Sequence, residues 1–365
     1  MVYRLDTIPL DRLITPVARA TAMLARLDER IARSPIGAGW IERTHFQDAV
    51  SSLWIDGELV HLEDLVLHDN HMDIRAPTHE LVRAHAVLRA RRQIFSHPPD
   101  WALSPAGLRH LAGRGSAETP PLPATDPSPE QRQDEPSDEH RLDEELAAID
   151  AVLKRSGETM ARLRNDCPAV ALRERDPLAY DLDWDEDGRL DAWNGLVGAS
   201  QHLPPVLRAA LLLDAWRTID VLQHVPWLGR LLVAALLRQA GLVTAHLAAL
   251  NSGLRAVPRE LRHAPDRTTR LVALLQAVEE AATLGMKEHD RLMQAKAQME
   301  RRLKGRRSNS RLPQLVDLVL SRPMVSSTMI EQELKVTQQG ALNLVAALNL
   351  REMTGRRRFQ AWGVI

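Results

Sequence analysis

Apolar residues recur at intervals of three and four through most of this chain, and that spacing confines it to a mainly α fold. In residues 10–33 the repeat runs through Leu13, Val17, Met23, Leu24, Leu27 and Ile31, and Pro35-Ile36-Gly37-Ala38-Gly39 then breaks it. A second helix is predicted over 41–55 and ends at Gly57, a residue that tolerates a left-handed cap. A short helix over 61–67 follows, then a longer one over 78–95 started by Thr78. Further helices are predicted over 204–219, 228–240, 243–252 and 267–304. Aromatic residues are only 4% of the chain, so Leu and Ala must carry most of the packing, as helices prefer.

The repeat fails between Gly113 and about residue 140, where Pro and acidic residues dominate and too little apolar surface exists to order the segment. It resumes at Leu142, Leu146, Ile149 and Leu153. The chain therefore divides into an N-terminal helical region (1–112), a Pro/acidic linker (113–140), a helical core (141–304) and a C-terminal module (305–365). The lone Cys167 excludes a disulfide framework and a thiolate zinc cluster within one chain. The N-terminus lacks the basic-then-apolar pattern of a signal peptide, so a reducing cytoplasm is expected. The most apolar stretch, 228–250, is interrupted by Arg230, Arg238 and His246 and reads as a buried helix pair; no membrane partner is expected.

Net charge is −1, but it is unevenly placed: from Lys287 onward 15 Lys/Arg face 7 Asp/Glu, leaving an acidic body. In this basic part Leu312, Leu315, Val316, Val319 and Leu320 give one buried helix face, and Pro323 ends it. Ser326 or Ser327 can cap a second helix through Leu334, and Lys335-Val336-Thr337 makes a short turn. Thr337 then caps a third helix that buries Ala341, Leu344, Val345 and Leu348 and exposes Gln338, Gln339 and Asn343. Amides at the exposed start of such a helix are suited to hydrogen-bond base edges in a major groove. Two short strands around Gly355 follow, tipped by Arg356, Arg357 and Arg358, which suit phosphates or a minor groove. Arg301, Arg302, Lys304, Arg306 and Arg307 just upstream read as a mobile basic tether. The module reads as a winged helix-turn-helix whose partner is double-stranded DNA.

In the body, Ser51-Ser-Leu-Trp-Ile-Asp-Gly resembles the Fic family, whose active members transfer AMP to protein hydroxyls. Ser52, Asp56 and Gly57 fall where Fic proteins often carry a serine, three residues, then Glu-Gly, and Leu62-Glu63-Asp64-Leu65 follows as that pattern expects. The resemblance resumes from Pro205 through Ala215-Trp-Arg-Thr-Ile to Leu228-Gly-Arg-Leu-Leu. It implies a Fic-like helical body that has lost its reaction. Asp220 stands at the place of the family's catalytic His, with an ordinary pKa too low for base work at neutral pH. His224 matches the acidic magnesium ligand and is a poor donor to a hard cation. Val225-Pro226-Trp227 replaces the glycine-rich phosphate loop, and Pro has no N–H to offer. Only Arg230 matches, and the resemblance implies an Asp56–Arg230 ion pair in place of the family's inhibitory pair.

Two other groups invite a metal reading. Asp183, Asp185, Asp187, Gly188 and Asp191 match part of a calcium loop, but Asn194 replaces its bidentate Glu and Pro177 discourages a preceding helix. The plainer reading is a solvated acidic loop capping a helix over 189–199. His61, His68, His71, His79 and His85 cluster with Asp69 and Asp73, but no fixed ligand spacing supports a metal. No cofactor is expected. Together these readings describe a DNA-binding transcriptional regulator on a catalytically inactive Fic-like scaffold, with a homodimer and a small-molecule effector in the vestigial cleft as further partners. The alternatives are a nucleotidyl transferase with altered chemistry working through Asp220, His224 and Arg230, and an adaptor or antitoxin-like partner of an active Fic protein.

Overall fold

The computed structural model of the chain describes residues 3–5, 8–72, 76–113, 184–303, 311–353 and 360–364. Contacts group residues 1–108 with 183–365 in one compact unit and 109–182 in a second; of the second, only 109–113 are described. The helical spacing at Leu142 to Leu153 and most of the Pro/acidic segment lie outside the described residues.

The first unit is built on helices. They begin with α1 (Leu10–Ala32), α2 (Gly37–Ile55), α3 (Leu62–Asp69) and α4 (His79–Ser96), and α5 (Pro105–Leu111) starts in this unit and has its last three residues in the second. After the undescribed stretch come α6 (Glu186–Ala199), α7 (Pro205–Ile219), α8 (Leu228–Gln239), α9 (Leu250–Ala256), α10 (Arg259–Arg262) and α11 (Arg267–Leu303). Local chemistry sets several boundaries. The Thr78 hydroxyl accepts from the Leu81 amide (3.3 Å) and starts α4, while Gly57 at φ +87° takes the left-handed turn beyond α2.

Helix α11 has 37 residues, about 55 Å at the usual rise, and serves as the spine. Helices α1, α7 and α9 pack along it. The approach of α9 is close because Gly253 has no side chain; a Cβ there would lie 2.0 Å from the Ala277 carbonyl oxygen. At Gly285 the spine makes room for Leu27 of α1 and the indole of Trp40 of α2, whose Nε1 donates to the Gly285 carbonyl at 3.1 Å. Helix α8 is buried along almost all its length, from Leu228 through Leu237. Helices from both the 1–112 and the 141–304 regions thus line one core.

One predicted helix is displaced. Residues 243–249 are not helical, and α9 begins only at Leu250. The cause is Asp28 on α1. Its carboxylate accepts from the amides of Thr244 (2.9 Å) and Ala245 (2.8 Å), from the Thr244 hydroxyl (2.8 Å), and is bonded to His246 Nδ1 (3.0 Å). Burial alone would raise the Asp28 pKa, but these bonds outweigh it and hold it at about 2.

The C-terminal module contains α12 (Leu312–Ser321), β1 (Val325–Ser326), α13 (Ser327–Leu334), α14 (Gln338–Leu348), β2 (Arg351–Glu352) and β3 (Ala361–Gly363). The three strands form an antiparallel sheet in the order β1-β3-β2, with Val325 opposite Trp362 and Arg351 opposite Gly363. Sequence spacing gives the two wing strands but not β1, which is two residues long and precedes α13 directly. The whole is mainly α with a winged helix-turn-helix at its C-terminal end.

Candidate nucleic-acid interface

The turn between α13 and α14 is built from ordinary caps. The Ser326 hydroxyl accepts from the Met329 amide (3.2 Å), and Lys335 at φ +51° takes the left-handed conformation that ends α13. The Thr337 hydroxyl then accepts from the Gly340 amide (3.2 Å) and starts α14 two residues later. Helix α14 buries Ala341, Val345 and Leu348 against the module's core; Leu344 is only half-buried. Gln339 and Asn343 on its opposite side, and Thr337 and Gln338 at its start, are all exposed. Gln339 Nε2 donates to Asn343 Oδ1 at 3.2 Å, so the two amides lie side by side on one face. Arg351 in β2 and Lys335 in the turn are also exposed. Both are cations that the sequence reading did not single out, although their places in the turn and in a wing strand were the available signal. Arg356, Arg357 and Arg358 lie outside the described residues.

Arg301 and Arg302, expected in a mobile tether, instead belong to the last turn of α11. Arg302 donates through Nη1 to the carbonyls of Leu348 and Asn349, where α14 ends. Lys304, Arg306 and Arg307 lie outside the described residues.

In the body, the structure brings Asp56 and Arg230 together. Arg230 Nη1 and Nη2 donate to the two Asp56 oxygens at 3.0 Å each, and Nη2 also donates to Ser52 Oγ at 2.9 Å. This bidentate geometry occupies both ends of the guanidinium fork. Asp220 sits just past α7 in the left-handed region at φ +56°. His224 Nδ1 lies 3.0 Å from Glu186 Oε1, a carboxylate the sequence reading had not selected. Trp227 is buried, and the Pro226 carbonyl accepts from Trp216 Nε1 at 3.1 Å. Two shallow surface depressions, one around Arg12, Leu261 and Val272 and one around Arg26, Arg30 and Met286, include none of Asp220, His224 or Arg230.

The two metal readings meet different geometry. Asp183 is outside the described residues, and Asp185 accepts from the Gly188 amide (2.9 Å) as the cap of α6. Asp187 and Asp191 lie within that helix, so the stretch from 186 onward forms no calcium loop, and the helix starts three residues before the expected 189. Among the histidines, His85 Nε2 lies 3.2 Å from Asp69, which also receives Arg92 at 2.7 Å. Burial would raise the Asp69 pKa, but these partners hold it well below the usual carboxylate range. Among the described residues no group of three or more His, Cys, Asp or Glu could hold a metal ion. Among the described residues no helix is long and apolar enough to cross a membrane.

Comparison with known proteins places these observations. Residues 178–304 match the model of a protein of unknown function (DUF1612), and residues 312–365 match that of an HTH DNA binding domain. The chain is 51% identical over 380 residues to the uncharacterized protein y4cF of Sinorhizobium fredii (strain NBRC 101917 / NGR234), with 100% of each chain covered. The helix-turn-helix match begins at Leu312, the first residue of α12. The Fic-like resemblance of the body gains no support from either family match.

Proposed function

This chain belongs to the family of the Sinorhizobium fredii y4cF protein, and from that premise we propose that it is a DNA-binding transcriptional regulator. The observation that carries the reading is the exposed start of α14, where Thr337, Gln338, Gln339 and Asn343 present amides and a hydroxyl within a module that matches an HTH DNA-binding domain. In this reading Gln338, Gln339 and Asn343 contact base edges, Thr337 fixes the helix start, and Arg356, Arg357 and Arg358 engage phosphates or a minor groove. A homodimer that reads paired half-sites and an effector held by the body belong to the same proposal.

The test is binding of the full chain to random genomic fragments across a salt series. Replacing Arg356, Arg357 and Arg358 with Ala is expected to flatten the salt slope by about 2.7, at roughly 0.9 for each phosphate no longer neutralised. Replacing Gln338 and Asn343 with Ala is expected to reduce discrimination among fragments while leaving that slope in place. Binding that ignores both salt and the arginine changes would overturn the reading.

A second reading of the body is supported by the Asp56–Arg230 pair, which joins the two positions the Fic-like resemblance would couple. There the body is a spent Fic-like scaffold, and its surviving arginine is held by a carboxylate instead of a phosphate. Transfer of labelled AMP by the full chain would select an active enzyme over that scaffold.

A further inference from the structure

Three body arginines reach into the winged helix, and each one ends on main-chain carbonyls. Arg43 of α2, only 3% exposed, donates through Nη1 to the carbonyls of Val319 (3.3 Å) and Arg322 at the end of α12. Arg291 of α11 donates to the Val364 carbonyl, just past β3, at 2.9 Å. Arg302 serves the end of α14 in the same way. The last carbonyls of a helix have no partner within it, and a cation there also meets the negative end of the helix dipole. Glu288 of α11 holds two of the three arginines in place. It accepts from Arg43 Nε (3.3 Å) and, through both oxygens, from Arg291 (2.7 and 2.6 Å).

The same face carries a second set of contacts. Arg322 donates to Glu42 of α2 at 3.1 Å, and Glu42 and Asp69 are in turn shared with Arg92. At Gly39 a Cβ would lie 3.2 Å from the Leu320 carbonyl oxygen, so α2 and α12 approach closely.

We propose that Arg43 and Arg291, organised by Glu288, together with Arg302, are positioning residues that clamp the winged helix in one pose against the body. The body then dictates how α14 is presented. The docking stands on its own geometry; its consequence for DNA rests on the DNA-binding reading. Because the arginines grip backbone and not side chains, the clamp leaves the exposed face of α14 free to vary in sequence. A winged helix that samples many poses binds with an affinity reduced by the fraction of time it spends in the competent one.

The experiment uses the full chain carrying Cys167→Ser, with spin labels at Ala22→Cys on α1 and Asp317→Cys on α12, both exposed and outside the proposed DNA face. Pulsed electron resonance on this chain is expected to give a single narrow distance distribution. The double variant Glu288→Ala/Arg302→Ala is expected to broaden it and to weaken DNA binding about tenfold, with the salt slope unchanged. Arg302→Lys in place of Arg302→Ala should recover part of both effects. If the double variant does not fold, Glu288→Gln/Arg302→Gln is read in its place. An unchanged narrow distribution would overturn the clamp. A broadened distribution with undiminished DNA affinity would overturn the positioning role. A broadened distribution in a chain whose unaltered form binds no DNA upholds the clamp and refutes the DNA reading.

Discussion

Asp48 of α2 and Arg91 of α4 are both completely buried and joined at 2.5 Å, and replacing either alone is expected to be severe. The Asp48 carboxylate also accepts from Asn251 Nδ2 (2.8 Å) and the Ser252 amide (2.9 Å), which ties α2 to α9. Arg91 donates in addition to the carbonyls of Leu247 (3.1 Å) and Ala248 (3.4 Å). Burial pushes the Arg91 pKa down, and the charge of Asp48 opposes that shift. Asp48→Leu leaves a buried guanidinium without its counterion, which by precedent costs about 3–5 kcal/mol. Two further donors lose their acceptor, so the upper end of that range is expected. Arg91→Met strands the carboxylate and falls in the same range. The double variant removes both charges from the core, and an apolar pair of similar bulk is well tolerated in such sites. Its loss should therefore fall short of the sum of the single losses by about 2 kcal/mol or more. Urea unfolding of the four chains, compared at matched m-values, measures this coupling. Additive losses, or a single Asp48→Leu cost below about 1 kcal/mol, would refute the claim that this pair acts as a unit.

Gly229→Ala would gain helix propensity, but its Cβ would lie 2.2 Å from the Trp216 ring. That ring bonds to the Pro226 carbonyl and packs edge-on against buried Trp193 at 5.1 Å, so overpacking should win by about 1–3 kcal/mol; a raised midpoint in thermal unfolding would contradict this. Stability should also fall with acid in two stages. Burial holds His45 and His246 below the ordinary imidazole value, so the unfolded chain binds these protons first; their contribution is full above about pH 6.5 and declines below it. Asp28, with its pKa lowered from 3.8 to about 2, keeps its contribution above the unfolded value and loses it as pH falls through that interval. Urea midpoints recorded from pH 8 to pH 2 check this, and a profile flat between pH 7 and pH 5 would rule out the histidine part.

What was legible in the sequence was local. Thr78, Ser326 and Thr337 start helices because a hydroxyl reaches an amide three residues on, and a reader of sequence sees both ends of that contact. The displaced start of α9 was hidden because the carboxylate that captures Thr244 and Ala245 comes from Asp28, more than two hundred residues away. The acidic loop does cap a helix, as its composition suggests, but α6 starts three residues earlier because the capping carboxylate is Asp185, inside that loop. At the candidate interface, the amides of α14 followed from apolar spacing on the opposite side of the helix. The gripping arginines did not, since a main-chain carbonyl carries no sequence signal and Arg43, Arg291 and Arg302 look like any solvated cation. The pairing of Asp56 with Arg230 came into view only through a family resemblance, which the family matches of the body do not support.

The packing of α1 along α11 has a consequence in time. The apolar side of α1, with Leu13, Leu24, Leu27 and Ile31, emerges from the ribosome more than two hundred residues before its partner helix, which ends at Leu303. At about 5–20 residues per second, roughly 10 to 50 seconds of synthesis separate the two. Until then the nascent N-terminal helices carry greasy surface with no lasting place to put it. Newly made chains of this protein are therefore expected to be more prone to aggregation during synthesis than chains whose helices find their partners next door.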